Sequence, residues 1–213
     1  MNIYSFPTYN LVKVLFTAEE LGHHYQLQLL DAHAGEHKSP EHLQRHPLGK
    51  VPAVELDGNH YFESNAICRL LAERHNNQLY GDTPEARART NQWIDMMTQH
   101  VGRHLHTLVF EEVVKPKAMG SSPNGAATEG ALAFLAAQLP IIDQALSTRP
   151  FLAGDELTIA DLIGFSFCQT HELTSASLDD YSATRDWYQR IKARPAFERA
   201  MEQLPGGKLF SFL

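Results

Sequence analysis

Two short motifs, close together in the chain, restrict its fold more than any other feature. The first is Val51-Pro52, which opens an apolar run at a bond that proline allows to be cis. A cis bond would turn the Val51 backbone outward, where its N–H and C=O can pair with another extended chain. The second is Glu63-Ser64, where we expect Ser64 to cap a helix whose first-turn N–H groups attract an anion. Together the motifs predict a slot for a short peptide that carries a carboxylate.

Composition excludes several classes of function. The formal net charge of −7, without any run of Lys or Arg, disfavours nucleic-acid binding. No apolar run approaches the length of a membrane span, and the N-terminus has no apolar signal stretch, so we expect neither a membrane partner nor export. Cys68 and Cys168 have no C-x-x-C spacing and the 12 histidines form no H-E-x-x-H pattern, so no metal site is expected. A cytoplasmic protein follows.

The first half of the chain has the pattern of a small mixed sheet with helices. Asp57-Gly58 lies between two strand-like runs and predicts a hairpin, and Gly22 ends a helical pattern. The predicted order is strand 2–6, helix 11–21, strand 25–30, short helix 40–45, strands 53–56 and 59–62, and helix 64–75. This order is that of a thioredoxin-like domain, which we assign to residues 1–77.

The second half has only helical periodicity. Residues 76–84 have the composition of a linker, and after them the two-residue alternation of strands disappears. We predict an all-α domain over residues 85–213, with long helices over 85–113 and 126–147 and a loop over 116–125. Thr158 and Asp161 have the spacing of a capping box before a further helix.

These features resemble the cytosolic glutathione transferase family, in particular its bacterial phi-, theta- and nu-like members. In that family Val-Pro lies beside the cysteinyl backbone of glutathione and Glu-Ser beside its γ-glutamyl end. The stretch G-D-x-L-T-I-A-D-L, which ends at Leu162, is similar to the start of the core helix in the family's second domain. The resemblance implies an α/β thioredoxin-like glutathione-binding domain followed by an all-α domain that contributes the electrophile pocket. It also implies that Asp161 is a folding residue.

The turn after the first strand is expected to activate the thiol. An ordinary thiol has a pKa of about 8.5, so a hydroxyl donor and a helix N-terminus are needed to favour the thiolate at neutral pH. Thr8 falls where phi- and theta-like transferases have their serine, and Thr8-Tyr9-Asn10 fits the Thr-x-Asn pair of nu-class enzymes. The position of the tyrosine classes holds Ser5 here, and the turn has no cysteine. Thr8 is the first candidate for the thiolate donor and Asn10 the second, although Asn10 would equally suit a helix cap.

The resemblance also assigns the remaining contacts to glutathione, the co-substrate. The segment that begins at His37-Lys38 resembles the phi-like segment that binds the glycyl carboxylate, and Lys50 is placed to serve the same carboxylate. The full set of candidate glutathione-binding residues is His37, Lys38, Lys50, Val51, Glu63 and Ser64. By family analogy, Tyr9, Met97, Val101 and His104, together with the tail residues Leu209, Phe210 and Phe212, are candidates for the electrophile pocket.

The predicted function is conjugation of the glutathione thiolate to a small hydrophobic electrophile, a detoxification reaction. Two alternatives stay open: a glutathione-dependent disulfide or peroxide reductase, and a non-catalytic binding protein on the same fold. Because two-fold dimers are the commonest assembly and similar two-domain proteins pair, we expect a homodimer. No nucleic-acid or membrane partner is expected.

Overall fold

The computed structural model describes residues 1–213, which form two compact units. The first unit comprises Met1–Gln78 and Arg194–Phe212, and the second comprises Leu79–Ala193 and Leu213. The contacts therefore group the stretch 194–212 with the first unit, whereas the sequence placed it in the second domain. The division of the chain into two independently folding domains, residues 1–77 and residues 85–213, stays a prediction.

The first unit contains a four-stranded sheet. Its strands are β1 (Asn2–Ser5), β2 (Gln26–Leu29), β3 (Ala53–Leu56) and β4 (Asn59–Phe62), in the spatial order β2-β1-β3-β4. β1 runs parallel to β2 and antiparallel to β3, and β3 pairs antiparallel with β4 around the Asp57-Gly58 turn. Every predicted strand forms within a residue or two of its expected ends, and the thioredoxin-like sheet is confirmed.

Ten α-helices account for most of the remaining chain. In chain order they are α1 (Tyr9–Leu21), α2 (Pro40–Arg45), α3 (Ser64–Arg74), α4 (Pro84–Met96), α5 (Arg103–Leu108), α6 (Lys115–Met119), α7 (Gly125–Leu146), α8 (Ile159–Cys168), α9 (Ser182–Lys192) and α10 (Pro195–Glu202). α1, α2, α3 and α10 belong to the first unit and the others to the second. Short 3₁₀ turns cover Glu36–Lys38, Gln169–Leu173 and Pro205–Gly207.

α1 is the central helix of the first unit. It is buried along most of its length because α3 packs on it and because Phe16 contacts Phe197 of α10, with 5.5 Å between ring centroids. Arg194 forms an ion pair with Glu20 at the last turn of α1, and Arg199 forms one with Glu19 there. The helix ends as predicted at Gly22, whose left-handed φ of 64° is a conformation that glycine adopts without strain.

The second unit contains one helical run from Pro84 to Met119, longer than the predicted helix over 85–113. Two π-helical segments, Met97–Gly102 and Val109–Val114, join its α-helical parts. A π-helical segment shifts the hydrogen-bond register, and Pro116, which lacks an N–H, lies in the first turn of α6 directly after such a shift. The helix therefore passes the proline and ends at Gly120, so the predicted loop starts later than expected.

The expectation that no apolar run approaches the length of a membrane span is wrong for α7, whose 22 residues are long and apolar enough to cross a membrane by length and composition. Core helices of globular proteins pass the same test, and a row of α7 side chains at three- and four-residue spacing is buried. That row consists of Ala131, Leu135, Leu139, Ile142 and Leu146. The pattern is typical of a helix that packs one face against a protein core.

The predicted capping box starts α8. Thr158 Oγ1 accepts a hydrogen bond from the Ala160 N–H, and the Asp161 carboxylate accepts one from the Thr158 N–H at 3.0 Å. The buried Asp161 also accepts the Leu152 N–H at 2.8 Å and the Trp187 indole N–H at 2.9 Å. One carboxylate thus joins α8, α9 and the turn before α8.

Candidate functional site

The loop before β3 presents the Val51 backbone. The Val51–Pro52 peptide bond is cis, and the preceding Lys50 carbonyl accepts a hydrogen bond from the ring Nε2 of the buried His42 at 2.8 Å. Gly49 in this loop has a φ of 57°, and a Cβ there would lie 2.6 Å from the His37 carbonyl oxygen. The loop geometry therefore requires glycine at this position.

The basic residues predicted to bind the glycyl carboxylate lie around the same loop. Lys38 Nζ donates to the Leu48 carbonyl at 2.8 Å, which ties the 3₁₀ turn to the loop. Lys50 is exposed and forms no salt bridge. The His37 ring packs edge-on against Phe6 at 5.1 Å between centroids, and burial lowers its pKa. Of these residues, Lys50 is the one whose charge faces solvent without a competing partner.

Thr8 is the N-cap of α1. Its backbone is extended, and its Oγ1 accepts a hydrogen bond from the Leu11 N–H at 3.4 Å. The hydroxyl hydrogen is not used in this bond, so Thr8 can cap the helix and still donate to a ligand. α1 therefore starts two residues earlier than predicted, and the interpretation of Asn10 as the cap is wrong, because Asn10 lies inside the first turn.

Tyr9 and Asn10 both form buried contacts at the start of α1. Asn10 Oδ1 accepts a hydrogen bond from Lys13 Nζ at 2.8 Å. The Tyr9 side chain is 5% exposed, and burial raises its pKa well above the usual range, an effect that a hydrogen bond from Asn10 opposes. Ser5, the last residue of β1, donates its hydroxyl to the Phe6 carbonyl at 2.9 Å.

The start of α3 differs from the prediction by one residue. Glu63, with a φ of 67°, is the N-cap without a side-chain hydrogen bond, and Ser64 is the first helical residue. Because the left-handed Glu63 turns the chain sharply from β4 into the helix, the expectation that Ser64 caps α3 is wrong. Ser64 Oγ instead lies 3.4 Å from Asn10 Oδ1, to which it donates a hydrogen bond. The starts of α1 and α3 therefore meet.

The residues predicted to form the electrophile pocket divide between the two units. Tyr9 belongs to the first unit, and Met97, Val101 and His104 belong to the second. Met97 and Val101 are fully buried. The His104 ring stacks on Phe134 with 4.6 Å between centroids. The pocket stays a prediction.

The C-terminal tail folds back onto the first unit. Phe210 donates its N–H to the Pro7 carbonyl at 2.6 Å, directly before the Thr8 cap. Its ring lies 6.3 Å from that of Tyr9, and the Phe212 ring lies 5.1 Å from that of Phe6. The apolar tail is therefore packed against the first unit rather than free.

Sequence reasoning overlooked Lys13, which lies 1% exposed between the two helix starts. Its Nζ donates to Asn10 Oδ1 and, at 3.4 Å, to Asn65 Oδ1 in α3. The available signal was a lysine inside the apolar run that begins at Leu11. No group of three or more His, Cys, Asp or Glu side chains is arranged to hold a metal ion.

Comparisons with known proteins agree with this geometry. Residues 1–73 match the family model "Glutathione S-transferase, N-terminal domain", and residues 105–195 match "Glutathione S-transferase, C-terminal domain". Glutathione S-transferase 1 of Triticum aestivum is 31% identical over 207 residues, which cover 92% of this chain and 90% of the wheat protein.

Two solved structures extend the similarity to the fold. Glutathione S-transferase I from maize, in complex with an atrazine glutathione conjugate, has a TM-score of 0.86 and 28% identity, covering 93% of this chain and 95% of that one. The theta-class enzyme of Xanthomonas axonopodis pv. citri, with glutathione bound, has a TM-score of 0.85, 28% identity and the same coverage.

Proposed function

Because this chain belongs to the glutathione S-transferase family, we propose that it transfers the thiolate of glutathione to a small hydrophobic electrophile. The maize structure supports this reaction, because the molecule it holds is a conjugate of glutathione with atrazine. Glutathione is then the co-substrate, and the chain is an enzyme.

The observation that carries the proposal is the meeting of α1 and α3 at their first turns. Ser64 Oγ and Asn10 Oδ1 lie 3.4 Å apart, although the Thr8-Tyr9-Asn10 turn and the Glu63-Ser64 motif are 54 positions apart in the sequence. Two helix starts in contact bring together two sets of backbone N–H groups that lack intrahelical partners. Such groups favour an anion, and glutathione carries anions at both its γ-glutamyl carboxylate and its thiolate.

We place the tripeptide across this junction. Val51 pairs with the cysteinyl backbone, as an added strand would. Ser64 and the first N–H groups of α3 bind the γ-glutamyl carboxylate, and Glu63, exposed at the cap, binds the α-ammonium. Lys50, with His37 and Lys38 beside it, serves the glycyl carboxylate.

Thr8 is the proposed thiolate donor. Its Oγ1 uses one lone pair for the Leu11 N–H, so the O–H remains available to a sulfur at the N-terminus of α1. A hydrogen bond to the ionised form, together with the positive end of the helix dipole, lowers a thiol pKa. Asn10 is the second candidate, although its Oδ1 is engaged by Lys13.

The cysteines favour conjugation over a cysteine-dependent reductase. Cys68 and Cys168 are both buried, and burial raises their pKa to about 11 and about 12. A thiol that is protonated and enclosed in the core is a poor nucleophile. Two alternatives remain: a reductase that uses only the thiols of glutathione, and a non-catalytic binding protein, which would bind glutathione without any turnover.

The proposal extends to class, assembly and location. The plant relatives favour a phi-like enzyme, and the Xanthomonas structure favours a bacterial, theta-like one. The nu-like feature rests on Thr8-Tyr9-Asn10 alone. We also propose a cytoplasmic homodimer, for which a sedimentation mass of 23.9 kDa at micromolar concentration would be the contrary result.

The function is tested by calorimetric titration with glutathione, followed by turnover assays with aryl halides, epoxides, peroxides and mixed disulfides. Binding together with loss of halide from an aryl halide supports conjugation. Binding with turnover of mixed disulfides alone supports the reductase. Absence of glutathione binding to folded protein overturns the proposal.

A further inference from the structure

Lys13 is a charged residue in the core of the first unit, directly beneath the junction of α1 and α3. Its side chain is 1% exposed, and its Nζ donates to Asn10 in its own helix at 2.8 Å and to Asn65 in α3 at 3.4 Å. The two asparagines occupy the first turns of the two helices. One side chain thus joins both halves of the proposed glutathione site.

The lysine also sets the orientation of Asn10. An ammonium group has donors only, so the Asn10 carboxamide must turn its oxygen toward Lys13. The same oxygen accepts a hydrogen bond from Ser64 Oγ at 3.4 Å. The direction of the Asn10 amide is therefore a consequence of the lysine beneath it.

We infer that Lys13 is a positioning residue for glutathione binding: it holds the starts of α1 and α3 in register through Asn10 and Asn65, and its ammonium form places a positive charge beneath the anion site. The inference rests on the proposed function and deepens it. Lys13 does not contact the reacting atoms and acts through the two asparagines and through its electric field.

The charge of Lys13 depends on pH within the physiological range. Burial lowers its pKa to about 7, and the Cys68 thiol and the Glu63 carboxylate, both from the α3 side, oppose this shift. On the side of α10, Arg194 pairs with Glu20 and Arg199 pairs with Glu19, both at the far end of α1 from Asn10. Burial raises the pKa values of Tyr9 and Cys68, so neither of these two groups changes charge between pH 6 and 8.

Bound anions would raise the pKa of Lys13, so by linkage the affinity for glutathione falls as the pH rises through about 7. If binding raises the pKa by about one unit, the affinity falls about fivefold between pH 6 and 8. An arginine at this position keeps its charge over the whole range, so this fall would disappear.

The test is titration calorimetry with S-methylglutathione, whose blocked sulfur removes the thiol titration, at pH 6, 7 and 8. The proteins compared are wild type, Lys13→Arg, Lys13→Met and, as a matched control, Lys117→Met, which removes an exposed lysine of the second unit. Circular dichroism checks the fold of each. Because the amine of the ligand titrates alike in all samples, differences between proteins report Lys13.

We expect Lys13→Met to weaken binding at pH 6 more than tenfold, Lys117→Met to leave it unchanged, and Lys13→Arg to flatten the pH dependence. Wild-type affinity in folded Lys13→Met overturns the inference while leaving the proposed function intact. If Lys13→Met does not fold, Lys13→Arg provides the test. The inference is overturned if the affinity of Lys13→Arg falls with pH as much as that of wild type. Absence of binding by wild type rejects the proposed function, and the inference with it.

Discussion

The Thr8 hydroxyl has two roles: it caps α1, and we propose that it donates to the thiolate. Substitutions of Thr8 can separate these roles. Thr8→Ala should raise the pKa of the bound glutathione thiol and lower turnover at neutral pH, because the donor to the thiolate is lost. Each unit of pKa corresponds to about 1.4 kcal/mol. Thr8→Ser should keep most of the activity. The thiolate absorbs in the ultraviolet, so the titration is followed on the complex.

A second cap in the same chain supplies the control for Thr8. Asn124 caps α7 by accepting the Ala127 N–H, as Thr8 accepts that of Leu11. Thr8→Ala and Asn124→Ala should each cost roughly 1 kcal/mol of stability. Only Thr8→Ala should change the thiol titration, and a titration unaltered by it would make Thr8 solely a cap and direct attention to Tyr9 or Asn10.

Ser64 tests the γ-glutamyl end of the site. Because Glu63 rather than Ser64 caps α3, and because the bond from Ser64 to Asn10 is long, Ser64→Ala should cost less than about 1 kcal/mol of stability. Glutathione affinity should nevertheless fall about tenfold, measured by calorimetry, since a charge-assisted hydrogen bond to the carboxylate is lost. The matched control is Ser182→Ala, because Ser182 is likewise the first residue of a helix, α9. Equal glutathione affinity in Ser64→Ala and wild type would remove Ser64 from the site.

At the scale of elements, Asp161 joins α8 to its surroundings. Its carboxylate accepts hydrogen bonds from Leu152, Thr158 and Trp187. Asp161→Ala would leave buried donors without an acceptor, so we expect a loss of about 3 kcal/mol or more in the free energy of unfolding, measured in urea. Asp155→Ala, at an exposed position in the preceding turn, should change it little.

The role of Asp161 as a folding residue has a second consequence. In the fraction that remains folded, Asp161→Ala should bind glutathione as wild type does, because no atom of Asp161 lies in the first unit. If Asp161→Ala kept the stability of wild type but bound glutathione more weakly, Asp161 would be a binding residue rather than a folding residue.

At the scale of the whole molecule, histidines link stability to pH. Burial lowers the pKa values of five of them below the usual 6.5, namely His23, His37, His46, His104 and His171. The unfolded chain therefore takes up protons first as the pH falls, so their stabilisation is present above pH 6.5 and lost below it. The lowered pKa of Lys13 has the same effect at higher pH: near and above pH 7, the unfolded chain again binds more protons, so stability rises with pH.

We expect the free energy of unfolding to fall by about 1 kcal/mol between pH 7 and 5, a value reduced for the partial exposure of these rings. His23, whose Nδ1 lies 2.9 Å from His75 Nε2, is the sharpest single test. His23→Gln should flatten the curve more than His24→Gln at the exposed neighbouring position. Urea melts at several pH values measure both, and a stability that rises toward pH 5 would contradict the prediction.

Local chemistry was sufficient to predict much of this molecule. The hairpin at Asp57-Gly58, the end of α1 at Gly22 and the capping box at Thr158 all appear as predicted. Each of these features depends on groups a few residues apart, whose hydrogen bonds or allowed dihedral angles are set by the residue types alone. The fold class and the family followed from the order of such features along the chain.

Contacts between distant residues determined the details of the site. Ser64 was expected to cap α3, but the left-handed turn at Glu63 takes that place. Asn10 was a candidate cap, but Lys13 turns its carboxamide into the junction with α3. The bonds that join the two helix starts, from Ser64 to Asn10 and from Lys13 to Asn65, link residues 54 and 52 positions apart along the chain, which meet only when α1 and α3 pack together. Local propensity cannot encode such a meeting, because the burial that brings a lysine under two helix starts exists only in the folded molecule.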